Sequence, residues 1–158
     1  MVERLLNVRE AGWPRIFVPI GVFLAAFGVC NFAELPLGWK DRVPQITRYL
    51  EATVGLGAEW VPAALWTAKT VELALGVIAV IALTRRHVGL LATSVLGWMA
   101  WFIGFAVLDV WAADRAELQE HTVYFVMFTV LLVSILVVSA ARQALQRLEG
   151  YASTRADA

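Results

Sequence analysis

Four long apolar runs dominate the chain: Ile16–Ala33, Val61–Leu83, Val88–Leu108 and Val123–Ala141, each set off from the next by a polar segment. At about 1.5 Å of rise per helical residue, each is long enough to cross a hydrocarbon core roughly 30 Å thick. None of them shows the strict alternation of polar and apolar positions that barrel strands need. A helix is the remaining way to satisfy backbone N–H and C=O groups in lipid. The pattern therefore predicts an all-α integral membrane four-helix bundle, formed by a single domain over residues 1–158. The first run is longer than a typical signal-peptide h-region and reads as a retained helix.

The connections shape this bundle. Thr84–His87 joins the second and third runs through a four-residue link, which makes those helices antiparallel neighbours. Glu34–Trp60 is long for an idle loop. Within it, Pro44–Val54 places Ile46, Leu50 and Val54 at i, i+4 and i+8. That spacing predicts a short amphipathic helix lying on the outer surface. Trp39 and Trp60 flank it, and Trp13 and Trp111 stand at other helix ends, as interfacial anchors do.

Composition strengthens the membrane reading. Hydrophobic residues make up 60% of the chain and charged residues 16%, with a mean hydropathy of +0.70. A soluble core of this length cannot hide so much apolar surface, so lipid is the expected surrounding. The formal net charge is zero, which argues against a nucleic-acid partner. Basic residues are unevenly spread. Arg4, Arg9, Arg15, Arg85, Arg86, Arg142, Arg147 and Arg155 fall on one side of the predicted membrane, against Lys40, Arg42, Arg48 and Arg115 on the other. That bias predicts both termini in the cytoplasm and a multi-pass protein of the cell's inner (cytoplasmic) membrane. Cys30 is the one cysteine, so dithiol chemistry within the chain is excluded. Phosphate-binding loops, dinucleotide fingerprints and nucleophile elbows are absent from the sequence.

Candidate chemistry centres on the second run. Glu72 lies 11 residues after Val61, or about 16 Å into the membrane. A charge at that depth costs a few kcal/mol, so Glu72 is expected to face protein and find a partner. Lys69 precedes it at i−3 on the same face, and Gly76 and Ala79 continue that stripe, where small side chains let a neighbouring helix approach. The pair reads either as a self-neutralising register device or as a proton- or ligand-handling site. In the third run Trp98, Trp101 and Phe105 form an aromatic stripe able to wall a flat ring such as a quinone, or simply to pack. Each indole N–H calls for an acceptor. Asp109, at the outer end of that run, reads as a helix-terminus marker where solvation is cheap.

Two histidines raise the question of haem. His87 opens the third helix on one side and His121 opens the fourth on the other, about a membrane thickness apart, so they cannot ligate one iron. His121, next to Glu120, reads as a solvated surface histidine or as one able to exchange protons there. No cluster of residue types supports a metal site.

The segments Val54–Gly57, Val61–Gly76 and Leu83–Arg86, with Glu72 followed four residues later by Gly76 and with Arg85 in the turn, resemble the middle of the DoxX-like membrane family. Arg15, Gly21, Phe23 and Gly28 are similar to that family's opening helix, whereas Asn31 stands near where relatives often carry lysine. The resemblance implies a four-helix membrane bundle that in some relatives is a subunit of thiosulfate:quinone oxidoreductase. The resulting expectation is a small membrane subunit of a quinone-linked oxidoreductase, with no covalently bound cofactor and with quinone as its diffusible ligand. Glu72, Lys69, Trp98, Trp101 and His121 are the expected contacts. Its partners would be membrane lipids and other membrane protein subunits, one of which supplies electrons. The alternative is a non-catalytic accessory subunit of a larger respiratory or photosynthetic complex. A transporter is disfavoured because no inverted repeat or broken helix is evident.

Overall fold

A computed structural model describes residues 13–33, 43–44, 46–51, 55, 57–112 and 115–156. It is all-α. Helix α1 spans Phe17–Ala33, α2 Val61–Thr84, α3 Val88–Trp111 and α4 Arg115–Ala156, and a 3-10 turn at Ala58–Trp60 leads into α2. Residues 43, 44 and 46–51 are also helical and are called the loop helix below. Three segments, α2, α3 and Glu117–Leu148 within α4, are long and apolar enough to cross a membrane, and the 17-residue α1 is apolar as well. Apolar side chains also cover the exterior, Val22, Val77, Ile103 and Val130 among them. Such a surface suits hydrocarbon as the solvent better than water.

The second and third helices are antiparallel neighbours, as the short link requires. Arg86 takes a left-handed conformation (φ 48°). Its N–H reaches Leu83 O at 3.2 Å while His87 N–H reaches Ala82 O at 2.9 Å, the paired closure that ends a helix and reverses the chain. His87 then caps α3, its Nδ1 accepting from Leu90 N–H at 3.2 Å. The neighbour admitted by the small residues of α2 is α1. A Cβ placed on Gly28 would lie 2.7 Å from the Glu72 carbonyl oxygen and 2.8 Å from Gly76 Cα, so the two backbones touch there. Across the α2–α3 seam the buried Ser94 hydroxyl donates to Leu75 O at 2.9 Å, an interhelical bond of the kind that joins membrane helices. Rings close the remaining side: Phe27 of α1 meets Trp98 at 4.9 Å and both Tyr124 and Phe128 of α4 at under 6 Å.

Two expectations need correction. The third helix continues past Leu108 to Trp111, so Asp109 belongs to it. The fourth begins at Arg115 rather than Val123 and runs 42 residues to Ala156, about 63 Å, well beyond a bilayer core. Hydropathy marks what lipid must cover, whereas a helix ends where hydrogen bonding is interrupted, and no Pro or Gly occurs from Arg115 to Glu149. The loop helix packs inward through Ile46 and Leu50, as their spacing predicts, and adds a residue that the spacing did not single out. Ile46 and Tyr49 are the buried pair, packed on Val61 and Leu65 with Phe105 and Leu108 of α3 beside them. Val54 and Trp39 lie outside the described residues.

Candidate functional site

Glu72 faces inward, as its depth demands. It and Lys69 are each 8% exposed, and Lys69 Nζ lies 2.7 Å from Glu72 Oε2. One turn of α2 thus brings cation and carboxylate together, since residues three apart share a helix face. The second carboxylate oxygen, Oε1, accepts from Trp101 Nε1 of α3 at 3.3 Å. Trp101 thereby meets the indole requirement read from the sequence, and its ring sits edge-on to Phe105 at 5.1 Å. Trp98 behaves differently. It is 1% exposed, stacked on Phe102 and Phe128, and its buried Nε1–H has no acceptor among the described residues.

Lys69, Glu72, Trp98, Trp101 and His121 all line one chamber of about 150 Å³, together with Asn31, Glu120 and Tyr124 among others. Beside it lies an open groove of about 640 Å³, which shares Ile46, Ala68, Trp101 and Phe105 with the chamber. The groove is walled by small or apolar residues, including Ala63, Ala64, Gly104 and Leu108. Its floor is open at Gly104, where an added Cβ would meet nothing within 4 Å. Polar chamber and apolar groove together suit an amphiphile with a hydrogen-bonding head and a hydrocarbon tail.

Asp109 is the residue that sequence reasoning misread. It is 0% exposed and so is no solvated terminus marker. Its Oδ1 accepts from the Tyr49 hydroxyl of the loop helix, and its Oδ2 lies 2.6 Å from His121 Nδ1 of α4. The loop helix covers the end of α3, and the early start of α4 sets His121 within a helix rather than at its mouth. His121 is accordingly not a solvated surface group: its side chain is 12% exposed and its ring stacks on Phe105 at 5.2 Å. Signals for Asp109 and for Tyr49, which sequence reasoning did not single out, were present. Trp98, Phe102, Phe105 and Asp109 fall at i, i+4, i+7 and i+11, and Ile46 and Tyr49 at i and i+3, spacings that put each set on one helix face.

The haem argument stands, because His121 packs on a ring 18 residues along α3 from its cap His87, about 27 Å at helical rise. Among the described residues no three His, Cys, Asp or Glu side chains are grouped to hold a metal ion. Comparison of the chain with protein-family models, curated proteins and solved structures finds no match.

Proposed function

We propose that this protein is a small integral membrane subunit of a quinone-linked oxidoreductase, of DoxX-like type, with its termini in the cytoplasm. The quinone head occupies the chamber and its tail leaves through the groove. The observation that carries the reading is the junction at Trp101, where a chamber holding a buried Lys69–Glu72 pair meets an almost wholly apolar groove. Trp98 supports it further. Its ring lines the chamber, and its buried N–H, which has no acceptor among the described residues, costs about 1–3 kcal/mol while it stays unpaired. Lys69 offers a second donor. Electrons come from a partner protein, since among the described residues no three His, Cys, Asp or Glu side chains are grouped to hold a redox metal.

Titration with decylubiquinone, followed through quenching of Trp98 and Trp101 fluorescence, tests the proposal. Glu72→Gln, which removes the charge that anchors Lys69 and Trp101, should weaken binding about tenfold or more. Unchanged affinity removes the reading. Gly104→Leu, whose Cβ would meet nothing within 4 Å, should project into the groove, weakening decylubiquinone while sparing a tailless benzoquinone.

A second reading has one observation in its favour. Leu145 and Leu148 are strongly exposed on the extension of α4, between and beside Arg142 and Arg147, which suits docking to a larger complex. Co-migration with such a complex in mild detergent, with no quinone binding by the isolated protein, would favour an accessory subunit without chemistry.

A further inference from the structure

The two histidines are held in opposite ways. His87 Nδ1 accepts a backbone N–H from Leu90, so its neutral ring carries the proton on Nε2. His121 Nδ1 instead faces Asp109 Oδ2 at 2.6 Å, and Asp109 already accepts from Tyr49 on its other oxygen. An ionised carboxylate only accepts, so a hydrogen bond from His121 to an ionised Asp109 carries its proton on Nδ1. Nε2 is then the ring nitrogen that this bond does not use, on a side chain that lines the chamber. Phe105 and Phe102, at 5.2 and 6.0 Å, hold the imidazole plane.

We propose that His121 is the group through which the chamber exchanges a proton with its ligand, with Asp109 as the positioning residue and Tyr49 fixing Asp109. The inference rests on the chamber being a quinone-head site. The proton balance is simple. Neutral His121 accepts a ligand O–H proton at Nε2, leaving the ligand oxygen anionic and the ring cationic. Nδ1–H stays on Asp109, whose charge offsets the imidazolium. In reverse, cationic Nε2–H donates to a ligand oxygen. Four other titratable groups line the chamber: Lys69, Glu72, Glu120 and Tyr124. Lys69 and Glu72 are engaged with each other, and Glu120 is exposed. Tyr124 packs its ring on Phe27 and Phe102, and His121 is the member whose Nδ1 is held by a dedicated partner. It follows that a carbonyl-bearing ligand binds better as His121 gains a proton, and a hydroxyl-bearing one as it loses it.

The experiment uses the full chain in lipid nanodiscs with 15N-labelled histidine. In the ligand-free protein the neutral rings should show opposite tautomers, Nδ1–H for His121 and Nε2–H for His87. Asp109→Asn should abolish the preference at His121 and leave His87 unchanged. Decylubiquinone affinity should rise about tenfold as pH falls across the range in which the His121 signals titrate, and His121→Gln should flatten that profile. An Nε2–H tautomer at His121, or a pH profile that His121→Gln leaves intact, overturns the inference. Binding without any pH profile removes this inference alone. Absence of decylubiquinone binding at every pH removes the quinone reading and this inference with it.

Discussion

Glu72 and Asp109 are both carboxylates buried among apolar helices, yet they are neutralised by opposite means. Glu72 has its cation one turn earlier on its own helix, Lys69 at 2.7 Å, and borrows only an indole N–H from α3. Asp109 has nothing on its own helix. Its partners come from the loop helix, 60 residues earlier, and from α4, 12 residues later. A local pair can enter the membrane already neutral, before helices pack, whereas the Asp109 network exists only once three elements have assembled. The difference matters for chemistry too. Lys69 and Glu72 hold each other, while Asp109 holds Nδ1 of a histidine that lines the same chamber.

If Glu72 depends on one local cation, removing that cation should have the largest effect of all. Lys69→Met strands a buried carboxylate and should destabilise the protein by about 3–5 kcal/mol, read as a shift in denaturant unfolding in detergent. The double variant Lys69→Met/Glu72→Leu should recover most of that loss. Equal destabilisation by single and double variants would break the idea that the pair, rather than its volume, is what matters.

The two sites should also respond separately to a wedge between α1 and α2. Gly28→Ala sets a methyl group within 3 Å of the Glu72 carbonyl oxygen and of Gly76 Cα. Backbone rather than flexible side chain must then give way, at about 2 kcal/mol. Decylubiquinone binding should fall with it, while the His121 tautomer, set by Asp109 of α3 rather than by α1 or α2, stays as it was. A change in both would mean that the chamber moves as one piece. The smallest effect belongs to Tyr49→Phe, which removes one of two hydrogen bonds to Asp109 and should cost about 1 kcal/mol. Its signature is a loosened His121 signal with Glu72-dependent binding unaltered.

The bundle was legible in advance because its cause is local. Long apolar runs must be helical in lipid, a four-residue link must reverse the chain, and Lys69 and Glu72 must share a face at i, i+3. The same reasoning singled out Trp98, Trp101 and His121, and all five side chains meet at one chamber. It misplaced the ends of α3 and α4, since hydropathy falls off before helical hydrogen bonding does. Asp109 was misread for a related reason: a charge at the edge of an apolar run is usually solvated, and only a covering element makes it otherwise.

Helix identity, the antiparallel turn and the Lys69–Glu72 pair were thus settled by the order of residues alone, since each needs nothing beyond its own few turns. Tertiary packing decided the rest: the loop helix seated over Val61 and Leu65, Asp109 sealed between Tyr49 and His121, and the chamber joined to its groove at Trp101. Those contacts join residues far apart in the chain. Their existence depends on which helix faces meet, a matter of shape and close approach at places such as Gly28 and Gly76 that hydropathy does not encode.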